Sequence, residues 1–254
     1  GHNKDVSIYT GSFNTKKVDL SFDGKENNYD YFIGFTNFST VGESAMRDNK
    51  EEDGYRNDSL TINYGYNIND SFRLENYLYY NDSFLEYDSV NKSQNDIEFS
   101  DDQQAIYTAR LINTNGNFKN TISYNNTYVL RNTTGNDKKN YYGYRDAINL
   151  ISEYNFNLDN RIILGLDNEF DKAELYNYYT ASSYTESDEA IYSQYFDLQL
   201  RPKKDTYTTF GLRRDYHTTA KDYYTGRVTV AYKLDNNTKL RTNLGTSVRF
   251  PSLN

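Results

Sequence analysis

The feature that most constrains the fold is a period of two, carried by segment after segment. In "DSLTINYGYN" Leu60, Ile62, Tyr64 and Tyr66 alternate with Ser59, Thr61, Asn63 and Gly65. In "NRIILGLDNEF" Ile162, Leu164, Leu166 and Phe170 line one face, while Gly165, Asp167 and Glu169 line the other. "GRVTVAYKL" sets Val228, Val230, Tyr232 and Leu234 against Arg227, Thr229, Ala231 and Lys233. This is the periodicity of strands, and no stretch carries a convincing helical repeat.

The connections between strands are of two kinds. Short polar turns are expected at "NIND", "NTNG", "NLDN", "RPKK" and "LDNN", at residues 67–70, 113–116, 157–160, 201–204 and 234–237. Longer polar loops are expected at about 40–56, 85–102, 131–145, 175–188 and 215–223. The two kinds alternate strictly, so every short turn falls at one end of the sheet and every long loop at the other. A soluble sandwich has no cause to sort its connections this way, whereas an outer-membrane barrel does, having short periplasmic turns and long external loops. The fold class expected is therefore all-β, an antiparallel up-and-down transmembrane β-barrel.

Composition agrees once the barrel is considered. The mean hydropathy is −0.93 and only 36% of residues are hydrophobic, yet 17% are aromatic, with 28 Tyr. A disordered chain is poor in aromatics. A barrel strand that meets lipid on one face and a wet lumen on the other reconciles low hydropathy with membrane residence. Tyrosines at strand ends suit an interfacial girdle, although cross-strand packing in a soluble sheet uses the same residues. The net charge of −8 argues against nucleic-acid binding, which needs a basic surface. No cysteine is present, so disulfides and thiolate metal sites are excluded. No apolar run of about 18 residues supplies a transmembrane helix. Gly1 and His2 look like the remnant of a cleaved tag, leaving 3–254 as the barrel segment. Strand signals number about thirteen. Bacterial single-chain barrels close on even counts, so the segment is expected to be part of a larger barrel.

At its C-terminal end the sequence resembles a known family. "YKLDNNTKLRTNLGTSVRFPSLN" is similar to the mid-barrel signature of TonB-dependent outer-membrane receptors, broadly "T-x-L-R-x-x-x-G-x-x-(F/Y)-(R/K)-A-P-x-L". Thr238, Leu240, Arg241, Gly245, Arg249, Pro251 and Leu253 match, while Val248 stands in place of an aromatic residue and Phe250 in place of a small one. "FGLRRDYH" resembles the preceding hairpin, with Gly211, Arg213, Asp215 and His217 on the matching positions. "EEDGYRND" resembles the start of the strand after the second external loop, through Asp53, Gly54, Tyr55 and Asn57. In the family's order these cover nearly the whole chain. The resemblance implies a barrel of roughly 22 strands closed by an N-terminal plug, of which the chain carries about thirteen strands and neither the plug nor the C-terminal strands. It also implies bacterial outer-membrane localisation, lipid and lipopolysaccharide around the barrel, and active transport driven by TonB through the plug.

The implied cargo is a scarce metal chelate or vitamin: a ferric siderophore, haem or cobalamin. Cobalamin receptors of the family order external loops with calcium on carboxylates. By that resemblance Glu51 and Asp53, with Asp101 or Asp102 from the neighbouring loop, become candidate Ca2+ ligands, and the acidic run "RDNKEEDGYRND" tilts the substrate toward a corrinoid. A solvated acidic loop accounts for the same residues. Ligand capture is expected from aromatic and charged loop tips: Tyr87, Tyr141, Tyr142, Tyr144, Arg145, Tyr176, Tyr178, Tyr179 and Tyr184. A headgroup-level tyrosine belt explains any one of these equally. Arg213, Arg227, Arg241 and Arg249 are expected to line the wall facing the plug, where they pair with plug carboxylates or guide an anionic chelate. The alternative is a non-transporting surface barrel that binds or adheres, or a soluble β-rich interaction module that copies the hairpin pattern. Catalysis is not expected: Asp215 and His217, read as lying on a loop, share a face, but no nucleophile motif accompanies them.

Overall fold

The computed structural model describes residues 1–43, 52–88, 97–134, 138–178 and 183–250. They form one antiparallel sheet. Its strands are β1 (His2–Gly11), β2 (Thr15–Glu26), β3 (Tyr29–Thr40), β4 (Tyr55–Asn67), β5 (Phe72–Asp88), β6 (Ile97–Asn115) and β7 (Phe118–Thr133). They continue as β8 (Lys139–Asn155), β9 (Arg161–Asn177), β10 (Ser183–Lys203), β11 (Thr206–His217), β12 (Tyr223–Lys233) and β13 (Lys239–Gly245). Strand order follows chain order throughout, as in an up-and-down barrel wall. Among the described residues β1 and β13 each have a strand neighbour on one side only. His2, set aside as a tag remnant in the sequence reading, pairs with Gly24 inside β1.

The registers sort the side chains onto two faces, because a side chain two residues along returns to the same side. One face is apolar. Across β7, β8, β9 and β10 it carries Ile122, Leu150, Leu166 and, one pair further toward the turn end, Phe196 opposite Leu164. Ile122, Leu150, Leu164 and Leu166 are about two-fifths to one-half exposed, as residues that face lipid are. On β9 this face runs from Ile162 to Phe170, interrupted at Asn168, and its apolar residues stop at Lys172. Nine residues span about 26 Å along a strand, or about 20 Å along the normal of a barrel tilted by ~40°.

Aromatic rows bound this band on both sides. At the short-turn end Phe118, Tyr154 and Phe156 pack in series, with ring centroids 4.6 and 5.2 Å apart. Toward the long-loop end the rows are Tyr107–Tyr124, Tyr128–Tyr144 and Phe170–Tyr192–Tyr216. Amphipathic rings at both edges of an apolar band are the girdles of a membrane barrel.

The long-loop end departs from expectation. Residues 131–133, 139–145, 175–177 and 183–188, read as loop, belong to strands β7, β8, β9 and β10, and the connections shrink to 134–138 and 178–182. His217 likewise closes β11 rather than lying on a loop. Beyond the apolar band both faces of a hairpin are polar, so alternation vanishes from the sequence while the backbone ladder continues. A tight connection also occurs at this end, where Thr15 N–H donates to the Ser12 carbonyl at 3.1 Å and Phe13 and Asn14 hold φ of 55° and 50°. Positive φ at both central residues marks a type I′ hairpin turn.

Candidate functional site: the polar face of the sheet

The second face is polar and tied together by side chains. A belt of hydrogen bonds crosses β6 to β11 perpendicular to the strands. Thr108 donates to Asn125 (2.9 Å), Asn125 to Asn149 (2.8 Å) and Asn149 to Asp167 (3.1 Å). Arg213 then bridges Asp167 (3.0 Å) and Asp215 (2.7 Å), and Ser193 donates to Asp215 at 2.6 Å. Ser193 and Asp215 are buried. Asp215 receives bonds from two strands, and a connected polar network of this kind stiffens the wall.

Besides Arg213, which spans β10 to reach Asp167 on β9, two guanidinium groups reach over a strand at a glycine to bond the strand beyond it. Arg227 on β12 passes across Gly211 on β11 and bonds both oxygens of Asp197 on β10 at 2.9 and 3.0 Å. A Cβ on Gly211 would meet Asp197 Oδ1 at 2.9 Å and Arg227 Cγ at 3.1 Å. Arg73 on β5 crosses Gly65 on β4 in the same way to bond Asp30 on β3 at 2.9 and 3.0 Å. Glycine is present at both crossings because any side chain there would displace the ion pair.

Nearer the long-loop end lies a recess of about 390 Å³, lined by Tyr141, Arg145, Glu169, Asp171, Glu189 and Phe250 among others. Arg145 forms a two-bond fork with Asp171 (2.6 and 2.5 Å) and touches Glu169 at 3.2 Å. Behind the recess His217 has no exposed side-chain surface. Its Nδ1 accepts from the backbone N–H groups of Thr219 and Ala220, each at 3.2 Å. The neutral ring therefore carries its proton on Nε2, which lies 3.1 Å from Glu189 Oε2 but off the line of a hydrogen bond. Phe250 stacks on the other side of the imidazole at 4.7 Å and meets Tyr223 edge-on at 5.4 Å. His217 thus caps the 218–222 connection and seats Phe250. Asp215 is engaged with Ser193 and Arg213, so it forms no catalytic pair with His217.

The candidate residues from the sequence divide between the faces. Tyr87, Tyr141 and Arg145 share the polar face, as do Arg213, Arg227 and Arg241. Tyr142, Tyr144, Tyr176 and Tyr184 do not lie on loop tips. They sit within β8, β9 and β10 in register with the apolar face, where Tyr142–Tyr176–Tyr184 stack in series at 6.2 and 4.5 Å. Tyr178 follows β9, with Lys138 Nζ 4.9 Å above its ring. Tyr179 and Glu51 lie outside the described residues, as do the matched Pro251 and Leu253. Arg249 precedes Phe250 and is exposed. Asp101 and Asp102 are neighbours on β6 and point to opposite faces. Asp102 is engaged by Arg131 at 3.0 Å and Ser100 at 2.8 Å. Among the described residues no group of three or more His, Asp or Glu side chains is arranged to hold a metal ion. The wall-to-wall pairing of Arg213 and Arg227 and the seat of Phe250 were not foreseen; the only signal was Phe250 itself, a large residue where a small one is usual.

Comparison with known proteins gives these faces their meaning. A sequence comparison with curated proteins finds no match. The structure of the ferric yersiniabactin uptake receptor FyuA from Yersinia pestis superposes with a TM-score of 0.77 at 11% identity, covering 96% of this chain and 46% of that one. The copper transporter OprC gives 0.72 at 13% identity, with 99% and 46% covered. The siderophore receptor PirA from Pseudomonas aeruginosa gives 0.70 at 14% identity, with 94% and 40% covered. The chain therefore spans less than half the length of these structures. A family model described as TonB dependent receptor-like, beta-barrel matches residues 2–254. The apolar face with its two aromatic rows is thus the lipid face, the polar face is the lumen wall, and the chain belongs to the TonB-dependent receptor β-barrel family of the bacterial outer membrane.

Proposed function

We propose that this chain is the barrel wall of an active importer that takes up a metal chelate, a ferric siderophore first among them, with TonB acting through a plug domain. The observation that carries the reading is the lumen wall itself: a cross-strand belt of bonded polar groups below, and an open charged and aromatic recess above it on the external side. A rigid wall with a recess near its external mouth suits capture before passage, and release then depends on movement of the plug rather than of the wall. Tyr87, Tyr141 and Arg145 are the expected residues that face the ligand. The kinship with structures named as siderophore receptors and as a copper transporter supports a metal-bearing cargo.

Uptake of radiolabelled iron from a siderophore panel tests this, comparing the host strain with strains lacking the gene or TonB. Loss of uptake of one chelate in both mutants, restored by the plasmid-borne gene, is the expected result. Undiminished uptake of every chelate excludes the reading. The same assay with cobalamin, with and without calcium, tests the corrinoid and the Asp53 site suggested by the acidic loop.

A further inference from the structure

Resting on the import reading above, we infer that the recess lined by Tyr141, Glu169, Asp171, Glu189 and Phe250 recognises a positively charged organic group, so that the cargo is a chelate bearing a pendant ammonium or guanidinium. The first observation is charge. Three carboxylates converge on the recess, and both cationic residues on its wall are already engaged: Arg145 is forked onto Asp171 and shared with Glu169, and Lys172 pairs with Glu174 and Glu186. Glu189, with only 9% of its side chain exposed, has no Lys or Arg within ion-pair distance among the described residues.

The second observation is the imidazole behind it. His217 is fully buried and its Nε2 points at Glu189 without a hydrogen bond. Nδ1 is occupied by two backbone donors and Nε2 makes no hydrogen bond, so the imidazole leaves Glu189 without a hydrogen-bond partner from that side. Arg145 acts on Glu189 only through space, and a nearly buried carboxylate with no Lys or Arg in direct contact is costly, so the site is built for a cation that arrives from elsewhere.

The ring faces decide which kind of cation. Phe250 and Tyr141 present aromatic surface beside the carboxylates, the setting in which organic cations are held by ring faces and carboxylates together. A bare metal ion fits poorly, since the Nε2 that points inward carries a proton rather than a free lone pair. The adjoining belt adds to the bias, with Asp167 and Asp215 sharing the single guanidinium of Arg213. The lumen arginines expected to attract an anionic chelate are, at Arg213 and Arg227, committed to carboxylates of the wall.

The test uses the full-length receptor in detergent and two chelates of identical iron coordination. Ferrioxamine B carries one pendant ammonium, and its N-acetylated form is neutral. A ferric tris-catecholate provides the anionic arm. The expected result is that the ammonium form binds at least about tenfold tighter than the acetylated form, the size of one charge-assisted hydrogen bond. Glu189→Gln and Glu169→Gln are expected to bring that ratio close to one in receptors that keep their heat-modifiable gel mobility. A merely structural role lowers binding of both forms alike and leaves the ratio unchanged, which overturns the inference. Equal binding of the two hydroxamates, or binding of the catecholate alone, also overturns it while leaving chelate import intact. Binding of none of the three removes the inference together with the reading beneath it.

Discussion

At Gly211 the absence of a side chain is what joins three strands. Arg227 reaches Asp197 only because nothing projects from β11 between them. Gly211→Leu is expected to destabilise the barrel by about 1–3 kcal/mol, measured as a lower urea midpoint, and to cost much less in an Arg227→Ala background, where the ion pair is already gone. Equal costs in both backgrounds would show that the glycine serves the backbone instead. Asp235 gives the pH dependence of a single residue outside the membrane. The N–H of Asn237, then the hydroxyl and N–H of Thr238, hold its carboxyl below the ordinary carboxylate range. A depressed value means that the turn's stabilisation is complete above the unfolded value and fades as the pH falls through the folded one. Protection of the Thr238 amide from exchange is therefore expected to drop in acid, and Asp235→Asn, which keeps the acceptor without the titration, is expected to remove that dependence.

Among the elements, the hairpin β1–β2 carries an avoidable strain. Phe13 holds φ of 55°, where a bulky residue is disfavoured. Phe13→Gly is expected to stabilise the barrel by about 1 kcal/mol, seen as a higher urea midpoint; no shift would mean that the packing of the ring compensates. The elements also show where the sequence was legible. Strands β9 and β12 were readable because one face meets lipid and the other water, so apolar and polar residues alternate. Outside the band, β8 opens with "KNYYGYRD", polar or tyrosine on both faces, and no pattern distinguishes strand from loop. The crossings at Gly65 and Gly211 were hidden for another reason. They depend on register, and a single sequence does not say that Gly211 lies opposite both Asp197 and Arg227.

For the molecule as a whole, the two faces predict opposite tolerances. Leu166, in mid-band on the lipid face, and Thr121, in register with Ile151 and Gly165 on the lumen face, lie at similar depth. Leu166→Arg is expected to cost about 2–4 kcal/mol in vesicles, and Thr121→Arg under about 1 kcal/mol. A larger cost at Thr121 would mean that the assignment of lipid and lumen is inverted, and equal costs that the two faces do not differ. The family was legible in the C-terminal motif, yet the recess was not, because it gathers Phe250, His217 and Glu189 from separate strands and connections.

The strand-crossing arginines have a mechanical consequence. For one strand to slip past its neighbour, a guanidinium clamped two strands away must tear loose, so each crossing acts as a hoop around a cask. If a plug is tugged from below, as the import reading proposes, the load falls on staves that cannot shear, and the pull is spent on moving the stopper.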